Sequence, residues 1–262
     1  MRCSCACLRA WIAPFLFTAF GLALSLVIWP QGSGRTQEVK PYESGIRWEE
    51  PKMVQTGAPG TPPSDAVILF DGTNMKAWNG AEKWPIKDGA ATATSWATTK
   101  QSFGNYQLHV EFATPKKVSG SGQGRGNNGI GLSNARYEVQ VLDAWHNPTY
   151  WDGMCAAIYK QRPPLVNAAR PPGEWQTYDI VFETPLFRDG KLTRPGYVTV
   201  FWDGAVVQNH VQLLGDTPYD RPPAYRPHPE KQPLALMYHN NPVRFRNIWI
   251  REIHELTGER TQ

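Results

Sequence analysis

Beyond residue 7 the 262-residue chain contains a single cysteine, Cys155, so no internal disulfide can staple the fold and burial must hold it together. A small buried apolar residue is the ordinary role of such a lone thiol. Basic runs are missing as well. The formal net charge is +4 and the Lys and Arg residues are scattered, with no basic-aromatic stripe, which argues against nucleic acid or another polyanion as partner. From residue 64 onward no stretch sustains a 3.6-residue apolar period with caps, and that excludes a helical domain. What the chain has in quantity is turn formers and rings: 23 Gly, 23 Pro, 11 Trp, 10 Tyr and 10 Phe. Such a composition belongs to a loop-rich protein of short segments, whose rings fill a core or stack on sugars.

The first thirty residues stand apart. Arg2 and Arg9 precede an apolar run over residues 10–29 that carries no charge, the pattern of an export segment. Its length is close to the roughly 20 residues that span a bilayer, and no clean small-x-small cleavage site follows. A signal peptide and an N-terminal membrane anchor through residues 10–29 both fit, so the expected location is periplasmic, extracellular or membrane-anchored. Cys3, Cys5 and Cys7 precede the run and do not form a lipoprotein-type attachment site. Residues 31–63, rich in Gly, Pro, Ser and charge, read as a flexible linker. One domain over residues 64–255 and a tail at 256–262 complete the organisation.

Within the domain, apolar residues recur with a period near two in short blocks at 67–70, 106–112, 137–141, 178–182, 198–202, 234–238 and 245–250. Turn residues separate them, as in antiparallel sheets. Asp203-Gly204 between two alternating blocks predicts a tight hairpin. Six prolines between 218 and 233 predict a long irregular loop, and long ordered loops on a sandwich often wall a site. The expected fold is all-β, a two-sheet antiparallel jelly-roll sandwich.

The polar candidates for chemistry cluster around the 137–141 block. Tyr137, Val139 and Val141 fall on one face, while Glu138 and Gln140 fall on the other. With Trp145, His146, Tyr150 and Trp151 following, that second face reads as a cleft floor rather than a solvated surface. Trp145 and Trp151 are candidates for stacking on a pyranose. The spacing Glu138-x-Gln140-x-x-Asp143 resembles the Glu-x-Asp-x-x-Glu strand of laminarinase-like glycosidases, in which a β-bulge returns the last acid to the first one's face. Retaining hydrolysis there needs two carboxyls about 5 Å apart. Here the middle acid is an amide and the last is a shorter Asp, so a conventional retaining glycosidase ranks second.

A broader pattern covers the domain. Leu69-Phe70-Asp71-Gly72-Thr73-Asn74 with Trp78, Asn127-Asn128-Gly129-Ile130, Tyr137 through Asp143, Ala157-Ile158-Tyr159, Pro171-Pro172-Gly173-Glu174-Trp175, and His239-Asn240-Asn241-Pro242-Val243-Arg244-Phe245-Arg246-Asn247-Ile248-Trp249 follow one another. In this order they resemble the successive motifs of the 3-keto-disaccharide hydrolase family. The resemblance implies a concanavalin A-like jelly roll and activity on glycosides whose C3 hydroxyl has become a ketone.

A C3 ketone acidifies the hydrogen on C2. Its removal gives an enolate that expels the C1 oxygen by β-elimination, and water then adds back for a net hydrolysis. Such chemistry needs a base, an acid and a donor for the developing negative charge. Glu138 and His239 are the candidate base and acid, unordered, with Gln140 and Asn128 as orienting or oxyanion donors. His, neutral near pH 7, suits transfer in either direction. Asp143 and Lys160 are candidates for substrate contact, and Arg244 and Arg246, on one strand face, for clamping sugar hydroxyls. Trp78, Trp84 and Trp175 read as core anchors. No cofactor is required, although Glu138, Asp143 and His239 would suit a divalent metal. The family pattern Gln-Asp-His-Gly is Met237-Tyr238-His239-Asn240 here, which removes the carboxylate beside the histidine. From another functional class, a noncatalytic sugar-binding module of the same fold fits the sequence, as does an extracellular adhesion or scaffold element.

Overall fold

The computed structural model describes residues 41–261. The export segment expected over residues 1–30 lies outside them. Among the described residues no helix is long and apolar enough to cross a membrane.

Two antiparallel sheets face each other across one core. The larger runs Ala205–Gln212, Tyr197–Trp202, Gln176–Glu183, Tyr106–Ala113, Arg244–Glu252, Ala90–Thr92 and Ile86–Lys87, with Val67–Phe70 pairing along Arg244–Glu252. The smaller runs Trp78–Asn79, Ala97–Phe103, Gln232–Tyr238, Asn128–Gly131 and Tyr137–Val141. Neighbours in the sheets are mostly distant in sequence, the jelly-roll arrangement expected of the alternating blocks.

The alternation is visible strand by strand. Every second residue of Gln176–Glu183 and of Tyr197–Trp202 is buried. These inward side chains meet Phe112, Phe245 and, from the smaller sheet, Tyr137, Val139 and Val141 in one continuous cluster. Tyr137 packs on Phe182 across the sandwich at 6.1 Å. The Tyr178 hydroxyl crosses it to donate to the Gln140 carbonyl at 2.8 Å. Cys155, fully buried beside Tyr178, has its thiol pushed up to about 12 by burial, so it is apolar filling and not a nucleophile.

The hairpin at Asp203-Gly204 forms with positive φ at both residues, 48° and 83°, the geometry a two-residue turn between twisted strands demands. The proline-rich segment is irregular as expected up to Gln232, where a strand begins that contains Pro233 opposite Ser102.

Two boundaries differ from expectation. The compact unit starts at Ile46 and not at 64, because Ile46–Trp48 pairs antiparallel with Gly258–Arg260. Both partners fall in segments whose composition suggested a linker and a tail. The chain from there packs on the larger sheet: the Gly60 carbonyl accepts from Asn247 at 2.8 Å and from the Trp249 indole at 3.1 Å.

Candidate active site

The Tyr137–Val141 strand owes its second face to its neighbour. Gly131 stands opposite Glu138 and Gly129 opposite Gln140. A β-carbon at Gly129 would lie 2.5 Å from Glu138 Oε1, and one at Gly131 would lie 2.8 Å from Ala135. The glycine alternation thus leaves a trough in which the Glu138 side chain lies. The two strands are joined by a left-handed turn, with positive φ at Ser133, Asn134 and Ala135. On the outer side, residues 156–159 run along the strand edge: Tyr159 N–H donates to the Glu138 carbonyl at 3.1 Å and Gln140 N–H to Ala157 at 3.0 Å. Enclosed this way, Glu138 is 5% exposed and Gln140 1%.

Above the trough opens a cavity of about 430 Å³, within the range of small-ligand sites. Glu138, Gln140, Gln123 and Asn127 form its polar floor, and Trp96, Tyr150, Tyr159 and Tyr219 contribute its aromatic walls. His239 closes one side, its Nε2 3.9 Å from Glu138 Oε1. That separation is too long for a hydrogen bond. No protein group among those described donates a hydrogen bond to the Glu138 carboxylate, and burial raises its pKa to about 8. Burial lowers that of His239. Near neutral pH the pair therefore holds one proton, on the carboxyl, and one vacancy, on the imidazole.

The tyrosine wall has a proton to offer. Tyr150 and Tyr159 share one hydrogen bond between their hydroxyls at 2.7 Å. Whichever donates, the other keeps a hydroxyl hydrogen free for the cavity. Lys160 does not line the cavity; its Nζ stands 3.5 Å from the centroid of the Tyr150 ring, a cation–π contact.

The amides play a different part from the one their sequence positions suggest. Both N–H groups of Gln140 are committed, to Gln123 Oε1 at 3.0 Å and to the Gly153 carbonyl at 3.2 Å. Its Oε1 is buried and unpartnered, so Gln140 presents an acceptor and not an oxyanion donor. Asn128 spends its N–H groups on the Asn127 and Asn241 carbonyls and lies off the cavity. Its neighbour Asn127 lines it, with Oδ1 likewise unpartnered. Both oxygens are closed off from solvent within the cavity floor.

Asp143 is separate from this floor. The 128–131 and 137–141 strands pair without a bulge, so nothing returns Asp143 to the face of Glu138. It instead binds Arg125 at 2.7 Å, 3% exposed. The laminarinase-like pair is not assembled. Nor do Glu138, Asp143 and His239 make a metal ligand set: among the described residues no three His, Cys, Asp or Glu side chains gather in that way. Asp143 belongs to an adjoining cavity of about 560 Å³ that shares His239 with the first. Where the family motif has a carboxylate, Tyr238 packs against the core and its carbonyl accepts from the Trp96 indole at 2.9 Å.

The remaining candidates lie elsewhere. Trp145 and Trp151 are outside the cavity wall, and Trp151 is 70% exposed on a short 3-10 turn. Arg244 and Arg246 are on the larger sheet, stacked over Trp175 at 5.0 and 4.2 Å. Trp175 is thus a platform for two cations and not the core anchor expected, whereas Trp78 and Trp84 are buried. Arg246 also binds Glu111 at 2.5 Å. Behind that pair, His109 is buried, stacked on Trp249 and bonded to Asp179 at 2.7 Å. Trp96, Gln123, Thr217 and Tyr219 line the cavity with no sequence pattern to announce them, except that Tyr219 sits in the proline-rich loop expected to form a wall.

Residues 65–251 match the model of the 3-keto-alpha-glucoside-1,2-lyase-like domain. No curated protein matches the chain. Among solved structures, a candidate glycosyl hydrolase from Parabacteroides distasonis is 41% identical, with 84% of this chain and 98% of that one covered at a TM-score of 0.75. Another from the same organism is 22% identical, covering 72% and 99% at a TM-score of 0.54, and shares the fold.

Proposed function

The chain belongs to the 3-keto-alpha-glucoside-1,2-lyase-like family, and from that premise we propose that it is an exported enzyme that cleaves 3-keto glycosides by elimination followed by hydration. The observation that carries the reading is the Glu138–His239 pair, 3.9 Å apart in a half-enclosed cavity. Elimination needs a base at the C2 hydrogen and an acid at the C1 oxygen, and these lie on adjacent carbons. A pair holding one proton and one vacancy supplies both.

The electrons of the C2–H bond enter an enolate whose charge rests on the C3 oxygen. They return to form the C1–C2 double bond as the C1–O bond breaks, and the leaving oxygen takes a proton from the pair. Water then adds at C1 and a proton at C2. The free hydroxyl hydrogen of the Tyr150–Tyr159 couple is the donor for the C3 oxygen.

The test is incubation of the purified domain with a 3-keto glycoside and with its unoxidised parent, alongside Glu138→Gln and His239→Ala. Release of the aglycone from the keto sugar alone, lost in both variants, is expected. Cleavage of the parent would point to an ordinary glycosidase, and binding without turnover of either to a lectin.

A further inference from the structure

A third cavity, of about 230 Å³, is lined by Asn134, Arg136, Asp216, Thr217, Arg221 and Arg226, with Ala135 and Pro218 as its apolar members. Its lining and that of the cavity over Glu138 have Thr217 alone in common. We propose that this polar pocket is a binding site for a small, doubly charged oxyanion of the phosphate type. The site stands apart from the cavity over Glu138 and does not depend on the keto-glycoside reading.

Charge states the chemistry. Arg136 and Arg226 both donate to a single oxygen of Asp216, Oδ2, at 2.9 and 2.6 Å. Asp216 is the one acid in the lining. Its side chain is 10% exposed, against 25% for Arg136, 65% for Arg226 and 62% for Arg221. The carboxylate therefore lies at the back, and guanidinium groups form the accessible face. Arg221 has only its chain neighbour Asp220 as partner, at 2.9 Å, a surface pair that holds little. Each guanidinium carries five N–H groups, most of them uncommitted among the described residues. The Asn134 side chain, which makes no hydrogen bond among those residues, adds an amide. Within the lining, three positive charges face one negative. A doubly charged ion answers that excess, whereas a carboxylate leaves half of it open.

Size and frame agree with this. The volume falls below the roughly 300 Å³ at which small-molecule pockets begin, so the pocket holds an ion and not a whole sugar ring. Guanidinium forks match the oxygens of a phosphate two at a time. The backbone sets them in place before a ligand arrives. Thr217 donates to the Arg136 carbonyl twice, from N–H at 2.8 Å and from Oγ1 at 2.9 Å. Asp216 N–H donates to the Ala224 carbonyl at 3.1 Å and closes a turn, with Arg221 along it and Arg226 at its foot. An anion between these two arginines fastens the same turn from which Tyr219 enters the wall of the first cavity.

The experiment is a thermal melt of the purified protein in sodium phosphate against sodium chloride of equal ionic strength, with acetate and a hexose phosphate as further arms. Phosphate at about tenfold its Kd is expected to raise the wild-type midpoint by about 2–4 °C over chloride, and acetate by clearly less. Arg221→Ala and Arg226→Gln should each lose most of the phosphate shift, while Lys87→Ala, which removes an exposed cation on another strand, keeps it. General stabilisation by the salt acts on all of these proteins alike, so the difference between them isolates the site. Circular dichroism before each melt checks that the variants fold. A larger shift with inorganic phosphate than with the hexose phosphate identifies the free ion as ligand, and the reverse identifies a phosphate group whose sugar stays outside. No shift beyond chloride, or equal shifts in the wild type and Arg221→Ala, would overturn the site.

Discussion

Gly129 is the ground on which Glu138 rests: a β-carbon at position 129 would approach Glu138 Oε1 to 2.5 Å. The backbone there is ordinary strand paired to Gln140 and Met237, so alanine brings no φ penalty of its own and its effect falls on the carboxylate. Gly129→Ala is expected to keep the fold and lower kcat by about a hundredfold, the cost of a misplacement near 1 Å. A circular dichroism melt with a turnover assay on a 3-keto glycoside checks both halves.

Glu138 also writes a pH dependence into stability. Its folded pKa of about 8 lies above the ordinary 4.5. The cost of keeping it from ionising is therefore absent below pH 4.5, grows as pH rises from 4.5 to 8, and levels off above 8 at a ceiling of about 5 kcal/mol. Glu138→Gln should flatten the decline in denaturant midpoint between those limits. A parallel slope in wild type and variant would mean that the carboxyl is solvated or paired.

A second titration works at the other sheet. Burial pulls the His109 imidazole down, but the carboxylates of Asp179 and Glu111 outweigh it and hold the pKa near 9. The stabilisation is fully present below the ordinary 6.5 and is lost as pH rises through 9. His109→Gln is expected to destabilise the protein at pH 6 by a few kcal/mol and much less at pH 10, read as unfolding midpoints at the two values.

Tyr159→Phe removes one hydroxyl of the 2.7 Å couple and leaves the ring. If Tyr159 is the member of the couple that donates to the C3 oxygen, kcat on a keto glycoside falls by about a hundredfold with little change in KM, as when a single oxyanion donor is removed. A rise in KM at constant kcat would assign the tyrosine to ground-state binding instead.

Asp143→Asn separates structure from chemistry. With Arg125 left unpaired in a buried site, a loss of about 3 kcal/mol in stability is expected. Catalysis on a 3-keto sugar should persist at temperatures where the variant is folded. A protein that stays stable but loses all activity would return Asp143 to the catalytic group.

Much of this was readable from spacing. The strand at 137–141 and its two faces followed from strict alternation, and the Asp203-Gly204 turn from the φ values that only such residues accept. The strand at Ala97–Phe103 was not, because Thr98, Thr99, Lys100 and Gln101 break its apolar pattern. It forms because Thr98 and Ala97 pair with Gln232–Tyr238, a partner far along the chain. The same limit governed the site. Glu138 announced itself, but the choice of Tyr159 over Trp151 as cavity wall depends on a loop folding back along the strand edge. The direction of the Gln140 amide depends on acceptors at Gln123 and Gly153, and no local pattern encodes either.

The ribbon that joins Ile46–Trp48 to Gly258–Arg260 has a mechanical meaning. Ile46 pairs with Arg260 at its outer end, so the two chain ends leave side by side and a pull on both peels the pairs apart singly. Apart from the half-buried Ile46 the residues of the ribbon are exposed, and the surface Arg47–Glu259 pair at 2.7 Å offers little resistance. Tension carried along the chain is thus spent on lengthening this ribbon, and it reaches the strands that shape the cleft only after the ribbon has opened.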